Sequence, residues 1–337
     1  MWGRRRTAAL GIAALLIAAG LSTSGRTTSP VVTAGGAPAP KAYVVAHGGR
    51  VQVFDTSDGA VRGSANTGAW TTGAAVAAEG RRVYVVNGWA GVITAVDPVS
   101  GEVVGRIDAG ARLAQAVLRP DGERLYVTGS GSVAVVDPVA FRLVAAIPAG
   151  GQPQGIAISP DGGELYVANS QDGTVSVLDT ATASPKTTID VGGMPRHVAI
   201  SPDGDAVYVS TLDLREGTGS VALIDPHARR VRWTTPVGKG AGALAVTPDG
   251  RHVYVALSRE VAVLDATTRA TKTLPFTVDT LAIAPGDRRV FLATGDTTTV
   301  LDSADNEVLR TFRLTGLNDG GRGFAATAIA FEPPAGS

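Results

Sequence analysis

Arg196 and His197 have the residue types for work on a small substrate. They follow Gly192-Gly193-Met194-Pro195. A guanidinium can grip a carboxylate or phosphate through two parallel hydrogen bonds, and an imidazole can move a proton near neutral pH. Past the strand around Tyr208 the first acid is Asp213. The pair therefore lacks, in sequence, the carboxylate that would orient a catalytic histidine. Seven aspartates also recur in register: Asp55, Asp97, Asp137, Asp179, Asp225, Asp265 and Asp302. A ring of carboxylates could hold cations. Each one, however, ends a short Val/Leu-rich run, where Asp caps a turn by accepting backbone N–H bonds, and that structural role is the expectation. No His-x-x-x-His pair is present, and no glycine-rich phosphate loop follows a strand to open a helix. The chain has no cysteine, which excludes disulfides, thiolate metal sites and a cysteine nucleophile. Neither a metal nor a cofactor is expected.

The elements that must carry these residues repeat. Ser-Pro-Asp-Gly stands at 159–162 before Tyr166-Val167 and at 201–204 before Tyr208-Val209, with variants at 119–122 and 247–250. The aromatic series Tyr43, Tyr84, Tyr126, Tyr166, Tyr208, Tyr254, Phe291 advances in steps of 41, 42, 40, 42, 46 and 37 residues. The aspartates give a second count of seven. A period near 40 residues means a repeat architecture. Within a unit the runs are short and rich in Val, bounded by Gly, Asp and Thr, as in Gly155–Ser159, Leu165–Ala168, Thr174–Leu178 and Lys186–Val191. Asp161-Gly162 suits the first hairpin turn. The fold class predicted is all-β, a seven-bladed β-propeller of four-stranded antiparallel blades. The first unit begins at Lys41 with what matches a second strand. Thr327-Ala328-Ile329-Ala330-Phe331 matches a first strand, so the C-terminal strand is predicted to pair with blade 1 and close the ring. The tyrosines are expected in the core between blades.

Tyr84-Val85-Val86-Asn87 and Tyr166-Val167-Ala168-Asn169 are similar to the strand that names the YVTN family of seven-bladed propellers. The resemblance covers about residues 41–333 and implies the propeller fold rather than a single activity. Met194-Pro195-Arg196-His197 also resembles a segment of the lactonase-type propellers. That likeness implies Arg196 holding a substrate oxygen and His197 assisting water attack. The lactonase pattern places an acid just past the next Tyr strand, where this chain has Ser210-Thr211.

In a four-stranded meander the loops after strands two and four share one face, here called upper. The lower loops are uniform Pro-Asp-Gly and Asp turns. The upper loops vary: Tyr208 to Asp225 spans 17 residues against 11 to 13 elsewhere, through Thr211–Gly217, and the stretch from Leu314 to Phe324 is also enlarged. Function is expected on the variable face. By register, Trp70, Thr71, Thr72, Arg112, Gln115, Gln152, Gln154, Arg196, His197, Asp279, Thr280 and Thr327 ring the channel mouth, with Trp89 and His47 in neighbouring upper loops. Such a ring is polar, mixed in sign, and suited to a small anionic or hydroxylated ligand, with the tryptophans available for stacking or for packing on neighbouring loops. His227 and His252 map to the lower face.

Thirty basic residues balance thirty acidic ones, so no general attraction to nucleic acid or anionic lipid is expected. Residues 1–24 combine Arg4-Arg5-Arg6 with the apolar run Ala8–Leu21, the anatomy of a signal peptide and short for a membrane span, with an uncleaved anchor as the alternative. Without them the chain carries 27 basic against 30 acidic residues. Residues 25–40, rich in Thr, Gly, Ala and Pro, read as a flexible linker, and 334–337 as a tail. The expectation is a secreted or extracytoplasmic monomer that binds a ligand or protein partner on its upper face. A lactonase-like hydrolase using Arg196 and His197 is one alternative. A propeller subunit of a redox complex is another, though no haem or quinone motif is present.

Overall fold

A computed structural model describes residues 41–68, 70–77, 80–314 and 326–331. The signal-like segment, the linker, the connection 315–325 and the tail lie outside the described residues. The described chain forms seven four-stranded sheets, each antiparallel and each in meander order. In blade 4 the strands are Pro153–Ile158, Glu164–Asn169, Thr174–Asp179 and Ser184–Asp190, from the innermost outward. Small β-branched and Ala residues fill them, which suits pleated sheets stacked face to face.

Blade 1 is built from both ends of the repeat region. Ala326–Phe331 pairs antiparallel with Lys41–Ala46, with Ala42 opposite Phe331 and Val45 opposite Ala328. The innermost strand of the first blade thus comes from the C-terminal side, as its sequence match predicts. Phe331 packs on Phe291 of blade 7 with ring centroids 5.0 Å apart.

The core lies between blade faces rather than in one centre. One cluster joins blades 7 and 1 through Phe291, Leu314, Phe54 and Ala326, and another joins blades 4 and 5 through Tyr166, Val177, Val207 and Ile224. The repeat tyrosines sit in these seams, and several hydroxyls reach the next blade. Tyr43 donates to the Gly80 carbonyl at 3.1 Å, Tyr84 to that of Pro138 at 3.3 Å, and Tyr254 to Asn306 Oδ1 at 2.7 Å. The seven aspartates cap turns: Asp137 Oδ1 accepts from the amides of Val139 and Ala140, and Asp179, Asp225 and Asp265 repeat the pattern. Those carboxylates are occupied locally and form no ring of ligands.

The long blade 5 connection is partly strand. Val207–Leu212 and the 8-residue Thr218–Asp225 extend the hairpin, and the outer strand Arg230–Lys239 runs 10 residues. The turn itself is residues 213–217. Sequence spacing alone did not separate a longer hairpin from a longer loop.

Candidate ligand site at the channel mouth

The innermost strands carry a shared distortion at the upper end. Pairing jumps from Pro195↔Thr211 to His197↔Ser210, leaving Arg196 as an extra residue, and the same jump leaves Thr72 and Thr327 extra in blades 2 and 1. In blade 3 Ala114 N–H donates to the Thr128 carbonyl while Thr128 N–H donates to that of Gln115, so two residues face one. In blade 7 Asp279 N–H donates to the Ala293 carbonyl while Thr280 pairs with Ala293. A bulge of this kind bends a strand and re-aims its side chains.

The residue after the bulge differs from blade to blade. In order from blade 2 the series reads Gly73, Gln115, Gly155, His197, Ala243, Thr280 and, in blade 1, Ala328. Gln115 and His197 are the large members, and they meet: Gln115 Nε2 lies 2.6 Å from His197 Nε2. An amide nitrogen can only donate, so the ring accepts at Nε2 and keeps its proton on Nδ1. Blade 4 stands between them in the ring and has Gly155. A Cβ there would lie 2.6 Å from the Arg196 carbonyl oxygen and 2.7 Å from His197 Cα.

Above this pair opens a cavity of about 890 Å³. Trp70, Trp89, His47, Arg112, Gln154 and Asp279 line it, with Gln115, His197, Thr72 and Thr327. Below, Gln115, His197, Thr72 and Thr327 also border a narrower space of about 370 Å³, walled by Ala74, Ala116, Ala245, Ala282 and Ala328. The Gln115–His197 contact lies at the boundary of the two.

The cavity wall is aromatic and open. Trp89 is 84% exposed and Trp70 is 58% exposed, and the Trp70 ring meets His47 edge-on at 5.0 Å. Trp70, Arg112 and Gln152 all stand two residues before the bulge, and all hold left-handed backbone, with φ of 67°, 55° and 52°. Blade 6 places Gly240, φ 75°, at the same position. Side chains at such angles cost about 1 kcal/mol each relative to glycine. Register put these three residues at the mouth; their left-handed backbone was not visible from the sequence.

The floor is uncharged. Burial pushes the His197 imidazole down to about 4, and the nearby Arg196 charge adds to the effect. Asp279 is exposed, with Oδ2 accepting the Gly295 amide at 2.7 Å. Arg196, the bulged residue, is exposed and is not among the cavity's lining residues. Gln152 borders a different groove of about 530 Å³ on the blade 4–5 side, with Met194, Leu212, Asp213, Leu214 and Arg215. The structure therefore gathers Trp70, Trp89, Arg112, Gln154, His197 and Asp279 and sets Arg196 and Gln152 apart. Sequence register placed all but Trp89 at the mouth, and Gln115 with them; that Gln115 meets His197 shows only in the structure.

Ser210, where the lactonase pattern has an acid, is committed to the fold. Its hydroxyl accepts the His197 N–H at 3.1 Å and donates to the Gly242 carbonyl of blade 6 at 2.7 Å. Asp213 closes its own loop by accepting from the amides of Arg215 and Glu216. Among the described residues no carboxylate bonds to His197, and no three His, Asp or Glu side chains converge as a metal ion would need.

No family model matches the chain, and a comparison with curated proteins returns no match. Among solved structures the chain is similar to hydrazine synthase of Kuenenia stuttgartiensis, with a TM-score of 0.64 and 24% identity over 69% of this chain and 77% of that one. At that identity the likeness speaks for architecture alone.

Proposed function

We propose that the chain is a binding module that holds a small ligand in the upper cavity, acting outside the cytoplasm as a member of the YVTN propellers. The observation that carries the binding reading is the cavity itself: about 890 Å³, open, with exposed Trp70 and Trp89 on one side and a hydrogen-bonding floor of Gln115 and His197. Apolar walls with a few fixed polar groups are the usual build of a ligand site. The strained backbone at Trp70 and Arg112 supports it, since strain persists where the side chain is needed. The signal-like anatomy of residues 1–24 supports export, and the Tyr-Val-x-Asn strands support the family.

Ligand-observed NMR of the full chain against a fragment library, beside Trp89→Ala and Trp70→Ala, tests the cavity. Fragments should bind the parent chain and lose most of their signal in both variants while melting temperature holds in Trp89→Ala. Hits that ignore both variants, or no hits at all, would overturn the reading.

A further inference from the structure

The rim and the floor of the cavity differ in charge, and that difference selects a ligand. Arg112 and Asp279 are of opposite sign, both exposed at the rim, where water screens them. At depth the polar groups are neutral. Thr72 spends its hydroxyl proton on the Leu113 carbonyl at 3.2 Å, and Thr327 spends its own on that of Val45 at 3.0 Å. Gln115 Nε2 donates to His197 Nε2. On the floor Gln115 Oε1 can still accept, and the His197 Nδ1–H, 3.4 Å from Gln115 Nε2, can still donate. A ligand carboxylate or phosphate brought there would lose its hydration and find no cation. A hydroxyl both donates and accepts, so it fits the two open groups at once. The exposed indole faces of the wall favour a ligand with an apolar side to its ring.

Resting on the binding reading above, we propose that the cavity takes a neutral carbohydrate, with a pyranose ring against the Trp70–Trp89 wall and a ring hydroxyl on Gln115 and His197.

The test is calorimetry on the full chain with methyl glucoside, methyl galactoside, methyl mannoside, maltose, cellobiose and N,N′-diacetylchitobiose, beside glucuronate and galacturonate. At least one neutral sugar should bind, its uronate counterpart at least tenfold more weakly. Trp89→Ala, a change at an exposed side chain, and Gln115→Ala should each weaken that sugar at least tenfold, and Trp233→Phe, on the outer strand of blade 5, should not. The proposal falls if no neutral sugar binds, if a uronate binds as tightly as its neutral form, or if neither Trp89→Ala nor Gln115→Ala changes the affinity. Should every sugar fail while other fragments still register at Trp89, the carbohydrate is wrong and the binding cavity stands. Silence from sugars and fragments alike removes both.

Discussion

Gln115 and His197 stand on the inner strands of blades 3 and 5, and their side chains meet across blade 4 with 2.6 Å between nitrogens. Blade 4, between them, has Gly155 at the equivalent position, where a Cβ would press on the blade 5 backbone at Arg196 and His197. One glycine and two polar residues, about 40 positions apart in sequence, thus share one level of the channel, between the upper cavity and the narrower space below.

The pair makes stability depend on pH. His197 titrates at about 4 in the fold, against 6.5 for the unfolded residue. Between those values the unfolded chain binds more protons, so stability should be complete above about pH 6.5 and fall as pH drops toward 4. The full shift corresponds to about 3 kcal/mol; because the ring borders an open cavity, roughly 1–2 kcal/mol is expected. Urea unfolding of the parent and His197→Gln at pH 7, 5.5 and 4.5 checks this. The slope should shrink in the variant, and parallel curves would contradict the assignment.

Gly155→Ala places a methyl group against backbone atoms of blade 5 that cannot swing aside. Blades 4 and 5 must separate, at a cost of about 2–3 kcal/mol. Gly217→Ala is the control. Its φ is +67° but its Cβ meets open space, so only backbone strain of about 1 kcal/mol is expected. Thermal melts of the two variants should rank in that order.

Arg112→Gly should do the reverse. It relieves a left-handed non-glycine residue on an exposed loop, and melting should hold or rise by up to about 1 kcal/mol equivalent. Ligand binding in the cavity should weaken. A variant both less stable and unchanged in binding would show that Arg112 is held there for the fold.

The repeat was legible because each unit must satisfy the same local physics. Asp137 and Asp179 cap equivalent turns of different blades, and Tyr84 and Tyr254 fill equivalent seams, so residue type and spacing recur together. Blade 1 was legible because Ile329 and Phe331 repeat the inner-strand pattern at the far end of the chain. The site was less so. Trp70, Arg112 and Asp279 could be placed at the mouth by register, but register counts positions and does not show which way a bulge turns them. Arg196 and His197 are neighbours in sequence, yet the bulge exposes one and buries most of the other. Register also placed Gln115 at the mouth, but not its contact with His197 across the channel.

The seam between blades 4 and 5 has a charged clamp on the lower side. Arg229 reaches from blade 5 to Glu164 of blade 4, with Nη1 2.8 Å from Oε2 and 3.0 Å from the Tyr166 hydroxyl. Arg229 chiefly holds the Glu164 carboxyl down, to about 2. Its contribution is therefore present above about pH 4.5 and is lost as pH falls toward 2. Arg229→Ala should cost about 1–2 kcal/mol at pH 7, and Arg229→Lys should recover little, since a point charge cannot bond both oxygens and the phenol. Chemical denaturation at pH 7 and pH 3 measures both, and a lysine variant equal to the parent would mean that charge alone matters.

Closure of the ring is the most consequential expectation for the fold. Removing residues 325–337 deletes the strand that covers Lys41–Ala46, leaving the backbone edge of a wholly buried run, Ala42 to Ala46, open to water. It also strips Phe331 from Phe291 and Ala326 from the blade 7–1 cluster. An exposed apolar strand edge pairs with other chains, so the truncated protein should aggregate in size-exclusion chromatography. Phe331→Ala is the milder form. It keeps the strand, loses a partly buried ring, and should cost about 2–3 kcal/mol while leaving the chain monomeric. A truncated chain that eluted as a monomer and melted with the parent would mean that the seven blades hold their circle without the strand borrowed from the C-terminal side.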